Sequence, residues 1–99
     1  MITFIRTASV MPGKQAKALA WAHEVAAFVK ATNGADVHVS IPVGGNPNRI
    51  RLTAEHENLA AMETSAAKLT SLPQWRELLA LSAELLVGES NFTEIWRDV

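Results

Sequence analysis

The chain has 99 residues, no cysteine, 48% hydrophobic residues, nine Lys/Arg against ten Asp/Glu and a formal net charge of −1. That length holds one domain, here residues 1–99, burying roughly 60–70% of its extended surface, and without cysteine there is no disulfide, thiolate metal site or thiol nucleophile. A near-neutral charge with no Lys/Arg run excludes a nucleic-acid footprint; no apolar run approaches the ~20 residues of a membrane span and no signal-peptide pattern opens the chain, so a soluble, cytoplasmic protein is expected.

Met1 to Val10 is rich in β-branched and aromatic residues (Ile2, Thr3, Phe4, Ile5, Thr7, Val10) and meets Pro12-Gly13, which predicts a strand ending in a turn. From Lys14 to Thr32 the residues Ala18, Trp21, Ala22, Val25, Phe28 and Val29 recur at helical spacing, and Asn33-Gly34 offers the left-handed stop. Asp36 to Val43 alternates, with Val37, Val39, Ile41 and Val43 on one side and His38, Ser40 and Pro42 on the other; Pro42 points to a sheet edge. The turn residues Gly44-Gly45-Asn46-Pro47-Asn48 lead into a second alternating strand, Arg49 to His56, which sets Ile50, Leu52 and Ala54 against Arg49, Arg51, Thr53 and Glu55.

Leu59, Met62, Ala66 and Leu69 predict a short helix beginning near Glu57. Ser71-Leu72-Pro73-Gln74 then reads as a restart, with Ser71 as N-cap and Gln74 completing a capping box. The third helix buries Trp75, Leu78, Leu79, Ser82, Leu85 and Leu86, stops at Gly88, and gives way to a last strand from Phe92 to Val99.

This βαββαβ order is that of an α+β, ferredoxin-like fold: an antiparallel four-stranded sheet with all helices on one face. The open face then carries His38, Ser40, Arg49, Arg51, Thr53 and Glu55. In the first and last strands, Phe4 beside Ile5 and Ile95 beside Trp96 put large apolar residues on both sides, so the sequence does not fix their facing. Strands apolar on both sides argue that a second copy stacks on the open face.

Arg6-Thr7, followed after four residues by Pro12-Gly13-Lys14, resembles the opening of NIPSNAP-like proteins of the dimeric α/β-barrel superfamily. The element order, the Gly44–Asn48 loop and the closing Ile95-Trp96-Arg97 extend the likeness loosely over the whole chain. The resemblance implies a subunit whose sheet pairs with its twin in a homodimeric barrel, frequently with a cavity between sheet and helices or between sheets. Cofactor-independent quinone-forming monooxygenases and haem-degrading oxygenases of similar fold look to use an asparagine on the first strand with a tryptophan and a histidine or tyrosine. This chain departs from that set: it has Thr3, Ile5 and Thr7 on the first strand and no tyrosine, and Trp75 alone offers a match.

Among titratable residues, His38 on the open face has the chemistry of a general base or haem ligand; the simpler reading is a hydrogen-bonded histidine at the dimer interface. His56 sits between Glu55 and Glu57 at a strand-to-helix junction and His23 beside the first helix's apolar stripe. No two histidines share a ligand spacing, so no metal is expected. Arg6, Arg49 and Arg51 together would suit an acidic small molecule, whereas Arg6 paired across strands with Glu94 would be purely structural. Trp21 and Trp75 fit core stripes, Trp96 the sheet or interface, and Gly44-Gly45 precedes a strand and so is no phosphate cradle.

The expected protein is a homodimer, pairing through its sheet faces, that holds a small apolar or weakly acidic molecule without a cofactor. Its expected site is lined by Arg6, His38, Arg51, Thr53 and Trp96, on the open face or at the boundary of sheet and helices. The rival expectation is a cofactor-independent monooxygenase or isomerase with His38 as proton acceptor.

Overall fold

In the computed structural model, which describes residues 1–99, the chain runs β1 (Ile2–Ser9), α1 (Gln15–Asn33), β2 (Val37–Ser40), β3 (Arg49–His56), α2 (Leu59–Thr70), α3 (Pro73–Ala80), two 3-10 turns (Leu81–Glu84 and Gly88–Ser90) and β4 (Phe92–Arg97). The strands form one antiparallel sheet in the order β2-β3-β1-β4, the ferredoxin-like arrangement expected from the element order. No helix is long and apolar enough to cross a membrane.

The register settles which side each strand residue takes. Ala8 stands opposite Ile50, Arg6 opposite Leu52 and Thr93, and Phe4 opposite Ala54 and Ile95. Because Ala8 and Ile50 share a buried cluster with Ala18, Trp21, Ala22, Val25 and Val29 of α1, this set of positions faces the helices. The alternate set, Thr3, Ile5 and Thr7 of β1 with Phe92, Glu94 and Trp96 of β4, faces the open side. The facing that the sequence left undetermined in the outer strands is thus fixed by their pairing.

Close approach of α1 to the sheet follows from its alanines, since Ala18 and Ala22 are fully buried and have no side chain beyond Cβ to hold the backbones apart. Trp21 is the large residue of the contact, and its indole N–H donates to the Leu78 carbonyl at 2.8 Å, tying α1 to α3. Phe28 of α1 stacks on Trp75 of α3, with ring centroids 5.9 Å apart. α1 ends at Gly34, whose φ of 73° lies in the left-handed region and whose N–H caps the Lys30 carbonyl. The 11 buried residues are all hydrophobic, so no buried charge needs compensation.

Several boundaries differ from the sequence reading: the third helix, expected to run to Gly88, ends at Ala80 and tightens into a 3-10 turn, and β4 stops at Arg97 rather than Val99. β2 stops at Ser40 rather than Val43, consistent with Pro42 having no N–H to give the ladder. α2 begins after Asn58, whose Oδ1 accepts the Ala61 N–H at 2.8 Å. Ser71 ends α2 instead of capping α3, its hydroxyl donating to the Lys68 carbonyl at 2.7 Å. Pro73 disfavours helical angles at the residue before it, so Leu72 is extended (φ −98°, ψ 124°) and occupies the cap position without a side-chain bond.

Two stability changes follow. Trp21→Ala removes the largest buried side chain and an interhelical hydrogen bond, and is expected to cost about 3–5 kcal/mol in urea unfolding. Asn58→Ala leaves the first turn of α2 uncapped at a cost of about 1 kcal/mol, seen as a lower denaturation midpoint at unchanged slope.

Candidate functional site

Between the helix-covered face and the helices lies a cleft of about 300 Å³ lined by Arg6, Ala8, Trp21, Ile50, Leu52, Leu79, Ser82, Leu86 and Asn91. β1 and β3 supply its floor, and α1, α3 and the following 3-10 turn its wall. Six of the nine lining residues are hydrophobic, the composition and size of a small-molecule pocket.

Arg6 is the charged group of this cleft. It occupies the same side of β1 as Ile2, Phe4 and Ala8, a position where alternation leads one to expect an apolar residue. Its Nε approaches the Thr93 hydroxyl at 3.4 Å and its guanidinium carbon lies 5.9 Å from the centroid of the Phe4 ring. No carboxylate neutralises it, because the one ion pair of the chain joins Lys30 to Asp36. The cross-strand partner that the sequence suggested, Glu94, stands opposite Ile5 on the other face of the sheet.

The remaining polar groups of the cleft are already engaged as donors. The Trp21 N–H is given to Leu78, the Ser82 hydroxyl donates to the Leu79 carbonyl at 2.6 Å, and the Asn91 amide donates to the Gly88 carbonyl at 3.2 Å. A molecule entering the cleft therefore meets apolar walls and one cation with free N–H groups.

The other expected site residues lie on the opposite side of the sheet. His38 pairs in register with Thr53 and Ser40 with Arg51, giving open-face rows His38-Thr53-Ile5-Glu94 and Ser40-Arg51-Thr7-Phe92, with Trp96 next to Thr3 in a third. The structure thus brings His38, Arg51 and Thr53 together, leaves Trp96 on the far strand of the same face, and separates Arg6 from all four by the thickness of the sheet. The helical spacing of Trp21, Leu79, Ser82 and Leu86 predicts core, and Ser82, the one hydroxyl among them, is the hint in the sequence that they border a cleft. No three His, Asp or Glu side chains converge in a way that would hold a metal ion.

The one ion pair of the chain acts on Asp36. The Lys30 ammonium donates a 2.9 Å hydrogen bond to its Oδ1 and attracts its charge, holding the carboxyl below the usual aspartate range; slight desolvation opposes this and His38 adds to it weakly.

The fold is shared with solved structures over at least 85% of both chains. An uncharacterised NIPSNAP domain protein from Burkholderia xenovorans superposes with a TM-score of 0.83 at 15% identity, over 100% of this chain and 95% of that one. A NIPSNAP family protein from Agrobacterium tumefaciens gives 0.83 at 17% identity over 99% and 85%. A candidate antibiotic biosynthesis monooxygenase from Deinococcus radiodurans gives 0.77 at 19% identity over 100% and 93%. No family profile and no curated protein matches the chain. The chain accordingly has the same ferredoxin-like fold as these NIPSNAP domain proteins and the candidate monooxygenase, the fold that the resemblance implies.

The Asp36 carboxyl should titrate below the ordinary aspartate range in an NMR pH titration, and Lys30→Met should return it to that range. With the folded pKa depressed, the stabilisation is complete above the unfolded-state value and is lost as pH falls through the folded one.

Proposed function

We propose that this protein is a homodimeric binding protein for a small, largely apolar molecule carrying a weakly acidic group, held in the cleft between sheet and helices. The observation that carries the reading is Arg6, an arginine without a carboxylate partner on the helix-facing side of the sheet, beside apolar walls that suit the body of such a ligand. A guanidinium offers paired N–H donors to a carboxylate or phenolate. Trp21, Leu52 and Leu79 would enclose the apolar part. Pairing with a second copy through the open faces is supported by Phe92 and Trp96, 60% and 58% exposed on that face, with Ile5 beside them. His38, Arg51 and Thr53 lie on the surface that would meet the twin.

A second reading, a cofactor-independent monooxygenase or isomerase with His38 as proton acceptor, is favoured by the likeness in fold to the candidate monooxygenase from Deinococcus radiodurans. The cleft holds no histidine or carboxylate, so in that reading chemistry would take place on the open face. Hydroxyquinol turnover lost in His38→Ala would support it; equal or absent turnover in both proteins leaves the histidine no catalytic role.

The binding reading is tested by calorimetric titration with sodium octanoate. The wild type should bind saturably, and Arg6→Gln should weaken binding at least tenfold, about 1.4 kcal/mol; absence of saturable binding by the wild type would overturn it. Sedimentation equilibrium should give twice the 10.7 kDa chain mass, with Trp96→Glu shifting the species to monomer.

A further inference from the structure

One polar group on the helical wall of the cleft has one-sided bonding. Leu79, Ser82 and Leu86 are spaced three and four residues apart and all line the cleft, so Ser82 stands between two leucines on the surface a ligand meets. A hydroxyl has one proton and two lone pairs. The Ser82 proton is committed to the Leu79 carbonyl at 2.6 Å, and no N–H or O–H of the protein donates to Ser82 Oγ. Toward a ligand Ser82 is therefore an acceptor only. Asn91 gives one amide N–H to the Gly88 carbonyl and keeps a second N–H and its own carbonyl, so it serves a donor or an acceptor alike. Discrimination lies with Ser82.

The rest of the lining sets the charge and size of what fits. Arg6 is the only charged residue of the cleft, and no carboxylate lines it. The group that donates to Ser82 must then be neutral, because an ammonium would share an apolar cleft with a guanidinium and find no counter-charge there. A wholly apolar tail also fits poorly at this point: it strips water from the Ser82 oxygen and returns no bond. At roughly 30 Å³ for a water-sized group, the cleft's volume of about 300 Å³ holds about ten heavy atoms.

We infer that the molecule held in this cleft is a medium-chain hydroxy acid, its carboxylate on Arg6 and its hydroxyl donating to Ser82, which makes Ser82 the specificity-determining residue of the site. This rests on the reading of the cleft as a site for a largely apolar acid and narrows it. A plain fatty acid satisfies Arg6 and the walls formed by Trp21, Leu52 and Leu79 but leaves the Ser82 oxygen without a donor, whereas a hydroxy acid of the same length satisfies all three. A site that bonds a ligand hydroxyl favours the hydroxylated compound over its unsubstituted analogue, the opposite of what an all-apolar pocket does.

The test is calorimetric titration with octanoate and with 3-, 5- and 8-hydroxyoctanoate. The wild type should bind one of the hydroxy acids about fivefold tighter than octanoate, the gain of one ordinary hydrogen bond, and Ser82→Ala should bind octanoate and that isomer with equal affinity. The O-methyl ether of the preferred isomer has no proton to give and should bind the wild type no tighter than octanoate, a check that does not depend on any variant folding. Arg6→Gln should weaken all the acids and leave their order unchanged. If octanoate binds saturably but no hydroxyl position improves on it, or if the preference survives in Ser82→Ala or in the methyl ether, the assignment to Ser82 is overturned and the binding reading stands. If none of the acids binds, the binding reading and this inference fall together.

Discussion

How near α1 can lie to the sheet governs the rest of this small structure. With few buried residues, contact between one long helix and four short strands has to be tight, and the fully buried Ala18 and Ala22 allow the backbones to approach where larger side chains would wedge them apart. Trp21, one turn along, is the exception in size, and it has a polar end to satisfy. Its N–H finds the Leu78 carbonyl, so the same residue that fills the gap between helix and sheet also anchors α3, with the Phe28–Trp75 stack as a second tie. The cleft exists beside this anchor, bounded by Trp21 on one side and by Leu79, Ser82 and Leu86 on the other.

Polar chemistry is distributed by the two-residue period of the strands. Arg6 and Thr7 are neighbours in sequence, yet one borders the cleft and the other lies on the open face. The same holds for Arg51 and Leu52. Since no charge is buried and only Lys30 and Asp36 form an ion pair, the arginines contribute little to holding the fold together. The free donors of Arg6 give the cleft its chemical character, a single cation in an apolar setting.

Much of the architecture could be read from the residues alone. The clean alternation of Arg49–His56 fixed both its bounds and its faces, and Gly34 stopped α1 where a left-handed residue was needed. Boundaries were less legible where one residue had two possible uses. Ser71 suits a helix start or a helix end, and the choice went to the helix already formed, because Pro73 held Leu72 extended. The candidate site was legible only in pieces. His38, Thr53 and Arg51 share a face because they lie on alternating strands, whereas the facing of Phe4, Arg6 and Trp96 depended on pairing partners that no single strand's pattern reveals. The cleft itself arises from tertiary packing: its walls are drawn from a stripe that looks, residue by residue, like ordinary core.

The central position of β1 has a consequence for how the chain folds. Its two neighbours are β3 and β4, and the pairing of Ile2 with Arg97 joins residues near opposite ends of the sequence. Local hairpin formation brings β2 to β3, but the sheet is complete only after a search over most of the chain's length, the kind of contact that slows folding. Until then one side of β1 presents unpaired N–H and C=O groups beside Phe4 and Ile5, a sticky template for other chains. Aggregation during synthesis or refolding should therefore depend on how fast the final strand docks more than on the stability of the finished domain.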